Sequence, residues 1–265
     1  MKVAAVQLGL YPKNTEKALD SAEALVRAAA KRGARLVCLP EHWLLSRVIE
    51  EDDPINTRFE SLAKELGVYL NLGANFQKRG KRVFMASPTI SPRGRILATQ
   101  DKVHLYRREK KAASPGEGLH LFKVDGYTVG VLVCHDLVFP EPARTATLLG
   151  AELLVVPSLI EATGGEPWLA YLRARALENR IPIVSANAYA PPRFLGMTFI
   201  VDQKYDKKKH IMLLDEKKAG PGAGLLMADI DPKSASRPRA ERLRELKESR
   251  AVKGLYEAAR VTGRA

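Results

Sequence analysis

The sequence predicts an α/β fold in one domain, and three observations predict it. Short apolar runs of β type alternate with amphipathic helical stretches along most of the chain, the pattern of a layered α/β unit. The chain has 265 residues, 46% hydrophobic and 28% charged, which suits one large core and the surface of a folded soluble protein. No apolar stretch approaches the roughly 18 residues expected of a membrane-spanning helix.

Each element follows from local pattern. "KVAAVQLGL" at the start reads as a first strand, because it lacks a small-residue cleavage site and runs straight into a helical pattern. That helix covers 14–33, with Asn14 or Thr15 to cap it and Gly33 to stop it. A second strand, "ARLVCLPE", ends at Pro40, and a helix over 56–66 precedes the strand "VYLNLGANF". A hairpin turning at "SPRG", the loop "YRREKKAASPGEG" and a second hairpin around "KVDGYT" lead to the apolar strand that delivers Cys134. A helix near 140–149 follows, then the strand "AELLVVPS" ended by Pro157, and a strong helix over 167–180. "IPIVSANAYA", "MTFIVDQ" and "GLLMADID" complete the strands. No Ser/Gly linker, fixed-period repeat or low-complexity block marks a boundary, so residues 1–265 form a single domain. The charged stretch 236–265 has little core-forming capacity and reads as a C-terminal arm that joins subunit contacts.

Composition narrows the function classes. The formal net charge is +13, but the basic residues are scattered and no aromatic-interleaved or zinc-finger pattern accompanies them, so a solvated basic surface is preferred over nucleic-acid binding. Two cysteines, Cys38 and Cys134, cannot build a disulfide framework, and the lack of export features points to a reducing cytoplasm. Five histidines at 42, 104, 120, 135 and 210 show no paired ligand spacing, so no metal is expected and no cofactor is implied. The glycines of "ATGGEP" form no phosphate-binding pattern.

Three strand ends carry an ionisable group where a buried backbone would give way to a cleft: Glu41, Lys102 and Cys134. A thiol attacks an acyl carbon as the thiolate, so it needs a base, which Glu41 can supply. The tetrahedral intermediate carries a negative oxygen, so it needs a fixed cation, which Lys102 can supply. Periodicity alone does not bring the three together; singly they read as two strand-end charges reaching water and a small core thiol.

The segments "LPEHW", "GRILATQDKVHLY", "ASPGEG", "VGVLVCHDLVFPEPAR" and "RARALENRIPIVSAN", in this order and at these separations, resemble the nitrilase superfamily of carbon–nitrogen hydrolases, in its amidase-like branch. That resemblance implies an α-β-β-α sandwich, two facing mixed sheets with outer helices, assembled as a homodimer or larger homo-oligomer. It also implies a Glu–Lys–Cys triad on Glu41, Lys102 and Cys134, with a second glutamate on Glu109. In that frame the strand end exposes the sulfur at a sharp turn, as in nucleophile elbows, and the backbone N–H of His135 helps hold the oxyanion. The His135 side chain reads as pocket wall, because neighbours on an extended chain point apart. Cys38 reads as a packed thiol and His104 as a support for the loop carrying Lys102. In "RARALENR", Arg175, Glu178 and Asn179 read as buried polar packing behind the site.

Where relatives often read "CYDLRFPE", this chain has His135 for the Tyr and Val138 for the Arg. Losing a guanidinium there makes that wall more apolar and favours an uncharged acyl or amine portion. The expected activity is hydrolysis of a small amide or carbamoyl compound through a Cys134 thioester, with ammonia or an amine released. A basic nucleic-acid-interacting or catalytically silent member of the same fold is the alternative, and nitrile hydrolysis or acyl transfer ranks below both.

Overall fold

A computed structural model describes residues 1–206 and 208–248. In chain order the elements are β1 (Lys2–Gly9), α1 (Thr15–Lys31), β2 (Leu36–Cys38), β3 (Val48–Ile49), α2 (Pro54–Leu66), β4 (Tyr69–Asn71), β5 (Asn75–Arg79), β6 (Arg82–Ile90), β7 (Ile96–Asp101) and the short α3 (Glu109–Ala112). Then come β8 (Leu121–Val124), β9 (Tyr127–Val131), a 3-10 turn (Cys134–Val138), α4 (Pro140–Leu148), β10 (Leu153–Ser158), a 3-10 turn (Ala162–Gly164) and α5 (Gly165–Asn179). The chain continues with β11 (Ile183–Ala190), β12 (Phe194–Leu195), β13 (Phe199–Asp206), β14 (Ile211–Lys218), β15 (Gly224–Asp229) and α6 (Ser236–Glu248).

Side-chain alternation sorts these elements into layers, because successive residues of a strand face opposite ways. From β1, Val3 and Ala5 join an inner core with Val129, Val131, Val155 and Val184, the apolar space between two facing sheets. Ala4, Val6 and Leu8 turn the other way, onto Leu19, Ala22 and Val26 of α1 and the buried face of α2. From β10, Leu153 and Val155 enter the inner core while Leu154 and Val156 pack on α4 and α5, through Ala143, Ala146, Trp168 and Leu172. Helix, sheet, sheet, helix is therefore the observed order of layers. The strands follow one path, β3-β5-β6-β4-β2-β1-β11-β10-β9-β8, in which β1 and β11 join the two halves at Leu8↔Ala188 and Gly9↔Tyr189. The central pairs are parallel and the hairpins antiparallel, so the sheets are mixed.

Several boundaries differ from the sequence reading for local reasons. The second helix starts at Pro54, earlier than expected, because Asp53 caps it by accepting from the Ile55 amide and Pro54 is tolerated in the first turn. "VYLNLGANF" is two strands, split at Gly73, whose φ is +66°. A Cβ there would lie 1.9 Å from the Pro40 carbonyl oxygen, so only glycine lets the two backbones come this close. Pro157 does not end its strand. The β9 ladder stops at Val155↔Val131, so no β9 partner lies opposite the missing N–H of Pro157, and β10 runs on to Ser158. The loop before "SPG" contains α3, and β14 forms a long hairpin with β13 through "YDKKKHIMLLDEKK".

Of the expected arm over 236–265, residues 236–248 are helical and 249–265 lie outside the described residues. Among the described residues no helix is long and apolar enough to cross a membrane.

Candidate active site

The end of β2 turns at Pro40, and the turn is tied to both sheets. The Glu41 amide donates to Ser158 O at the end of β10 (3.2 Å), and the His42 amide donates to Ala74 O beside β5 (2.7 Å). Glu41 thus sits at the seam between the sheets with its side chain 2% exposed. Lys102 follows β7, its amide donating to Met85 O (2.8 Å) and its carbonyl accepting from Gly116 (2.9 Å). Its side chain is 1% exposed, and its Nζ donates to Glu41 Oε1 at 2.7 Å and to Glu109 at 2.9 Å.

An ammonium has three N–H donors, so two carboxylates leave one for another acceptor. Burial works against a charged amine, but Glu41 above all, and Glu109 with it, hold Lys102 well above the ordinary lysine range. Glu109, the first residue of α3, also accepts from His42 Nε2 at 3.0 Å and from the Tyr106 amide at 2.6 Å. Burial opposes its charge, yet the His42 hydrogen bond and the Lys102 ammonium bring it down to about 2.

Cys134 is not the last residue of a strand. β9 ends at Val131, and Cys134 opens the 3-10 turn with φ +45°, a left-handed conformation that non-glycine residues rarely take. The strain aims the residue out of the sheet, and Cys134 stays partly open to solvent. Its sulfur lies within reach of the fields of Glu41 and Lys102. Burial first and the Glu41 charge second push the thiol well above its ordinary value, while Lys102 and the Leu159 amide pull it down. The resting sulfur is therefore a thiol, and ionising it requires handing over its proton.

Supporting residues explain how distant segments are held together. Asp136 is fully buried and accepts from the amides of Val133 (3.1 Å), His104 (2.7 Å) and Val103 (3.4 Å), and its Oδ1 lies 3.0 Å from His104 Nδ1. One carboxylate thereby joins the Cys134 turn to the segment after Lys102. His104 is the part of that joint expected from sequence; Asp136 was not singled out. Arg175 on α5 clamps the far end of the same turn, donating to Leu137 O (3.1 Å) and Val138 O (2.7 Å), and Asn179 donates back to Arg175 O (3.0 Å). The His135 ring packs on Tyr106, centroids 4.7 Å apart, and edge-on to Phe139. Burial and the Lys102 charge lower its pKa, which favours the neutral ring. Cys38 is fully buried in the inner core, remote in character from the strained Cys134.

Glu41, His42 and Glu109 bring one ligand atom each within 4.8 Å of one another, a spacing that could hold a metal ion. The Lys102 ammonium, bonded to both glutamates, already fills the cation position between them. The donor set thus fits a built-in cation better than an added one.

The fold and this cluster define a hydrolase of the carbon–nitrogen class. The carbon-nitrogen hydrolase family matches residues 2–239, and the chain belongs to that family, within the nitrilase superfamily. A nitrilase from Pyrococcus abyssi is 31% identical over 221 residues, spanning 77% of this chain and 82% of the relative. An omega-amidase from Xenopus tropicalis is 29% identical over 204 residues, 70% of this chain and 74% of the relative. A Glu-to-Gln mutant of the amidase from Nesterenkonia sp. AN1, solved with the acetamide moiety of fluoroacetamide added covalently at its active-site cysteine, superposes with a TM-score of 0.74 at 26% identity, covering 92% of this chain and 96% of that one.

Proposed function

We propose that this protein hydrolyses a small amide or carbamoyl compound through a thioester on Cys134. The observation that carries the reading is the seating of one buried ammonium, Lys102, between Glu41 and Glu109 beside a thiol in a strained turn. Glu41 takes the thiol proton as the sulfur attacks the carbonyl carbon, so that a C–S bond forms as the carbonyl π pair moves to oxygen. The remaining Lys102 N–H and the His135 amide hold that oxyanion. Collapse breaks the C–N bond, and Glu41 returns its proton to the departing ammonia or amine. Water then gives a proton to Glu41, attacks the thioester, and frees the acid and the thiol. Glu109 takes no proton in this sequence; it fixes Lys102.

The mutant amidase neighbour, whose active-site cysteine carries the acetamide moiety of fluoroacetamide, supports a nucleophilic cysteine in this fold. Val138 in place of a guanidinium-bearing residue beside the Cys134 turn supports an uncharged group next to the reacting carbon. Assembly into a homodimer or larger homo-oligomer belongs to the same proposal. Ammonia release measured against a panel of amides, carbamoyl amines and nitriles tests it: wild type turns over at least one amide or carbamoyl compound, and Cys134→Ala turns over none while keeping its melting temperature. Equal turnover by Cys134→Ala would refute it.

A further inference from the structure

His42 follows Glu41 directly, and adjacency on an extended chain would aim the two side chains apart. The backbone is not extended here: His42 has φ +53°, and Leu45, three residues on, has φ +58°. This tight turn brings the ring back toward the cluster. Its Nε2 lies 3.0 Å from Glu109 Oε1, its Nδ1 lies 3.3 Å from Leu45 O, and its edge rests on Phe76 with centroids 5.3 Å apart.

The protonation state follows from these partners. A peptide carbonyl oxygen can only accept, so Nδ1 must carry a proton. Glu109 already accepts from Lys102 and from the Tyr106 amide, which is the pattern of an ionised carboxylate, so Nε2 must carry one as well. A neutral ring would set a nitrogen lone pair against an oxygen lone pair at one of the two contacts.

We propose that His42 is a second fixed cation of the site, an imidazolium that positions Glu109 and, through Glu109, the Lys102 ammonium that meets the oxyanion. This rests on the hydrolase reading above and deepens it. The charged groups facing the ring are Glu41 from its own segment and Glu109 from α3, with Lys102, at the end of β7, bonded to both; β5 contributes only the uncharged Phe76 ring. With His42 protonated the cluster holds two carboxylates and two cations. With His42 neutral it would hold a net negative charge next to the place where an oxyanion must form.

Titration runs the same way. Burial works against the protonated ring, but the Glu109 hydrogen bond and the charges of Glu41 and Glu109 outweigh it and raise the His42 pKa above the ordinary histidine value. Because the folded pKa is raised, the stabilisation is complete below the unfolded value and is lost as pH rises through the folded one. Activity, if it uses the protonated ring, falls over the same rising pH.

Two readouts test this, one of which needs no substrate. In the full chain labelled with nitrogen-15 at histidine, the resonance that vanishes in His42→Gln should show both ring nitrogens protonated, with a midpoint above the ordinary value of about 6.5, and Glu109→Gln should move that midpoint down. A single neutral tautomer at neutral pH, or a midpoint indifferent to Glu109→Gln, would overturn the proposal. On an amide that wild type turns over, His42→Gln retains one donor without the charge. Its kcat should drop by roughly 10–100-fold with a smaller change in KM, and the alkaline fall in kcat/KM set by His42 should disappear. A purely structural role would lower the melting temperature and leave the pH profile in place. If wild type turns over nothing, the hydrolase reading fails while the ring titration still decides the state of His42.

Discussion

Two networks of acidic and basic side chains in this molecule make opposite use of the same chemistry. Between α1 and α2, Arg58 bonds Asp20 (2.6 Å), Glu23 (3.0 Å) and Glu16 (3.3 Å), with the Glu16 and Asp20 side chains 76% and 69% exposed. At the seam of the sheets, Lys102 bonds Glu41 and Glu109, and no side chain of the three is more than 9% exposed. The outer network exchanges water for partners at little cost and gains little, since exposed pairs contribute about 0–1 kcal/mol each. The inner one carries a desolvation penalty of several kcal/mol per ion, which apolar residues of similar volume would avoid. A fold that keeps such a cluster keeps it for its electric field, and in the proposed mechanism that field acts on a sulfur that loses a proton and a carbonyl oxygen that gains charge.

The contrast can be broken from either side. Lys102→Met should have the largest effect: turnover falls by about a thousand-fold through loss of the oxyanion cation, and chemical denaturation shows a loss of about 3–5 kcal/mol, because buried Glu41 loses its cation while Glu109 keeps only His42 and the Tyr106 amide. A stable Lys102→Met with native activity would remove the distinction between the networks. Asp136→Ala comes next. It leaves the buried Val133 amide and the half-buried His104 amide without an acceptor, a loss of about 3 kcal/mol, and lowers kcat because the Cys134 turn is no longer tied to the Lys102 segment. Arg58→Ala should have the smallest effect, under about 1 kcal/mol, shrinking further at high salt, with kcat and KM unchanged.

Much of the architecture was legible in the sequence because period-2 and period-3.6 patterns encode faces, and the layers of β1 and β10 follow directly from alternation. Glu41, Lys102, Glu109 and Cys134 were legible as motif positions, and the fold brings Lys102 into contact with both glutamates. Other features had no sequence signal. The left-handed backbone at His42 and Cys134 cannot be read from residues that normally avoid it, so the reach of the His42 ring to Glu109 was hidden and Cys134 was set on a strand instead of a 3-10 turn. Asp136 was hidden for a different reason: its partners at 103, 104 and 133 become neighbours only once β7 and β9 have been placed in facing sheets. Pro157 misled because a proline stops a strand only where a partner waits for its N–H.

Acyl transfer to sulfur is the step on which the account turns, and intact-mass spectrometry reads it directly. Wild-type protein is mixed with a reactive amide that it hydrolyses and quenched in acid during turnover, which preserves a thioester, and the modified peptide is sequenced. The account predicts a mass gain equal to the acyl group, carried by Cys134 alone and absent in Cys134→Ala. An unmodified Cys134 under conditions where wild type turns over the same amide would contradict it.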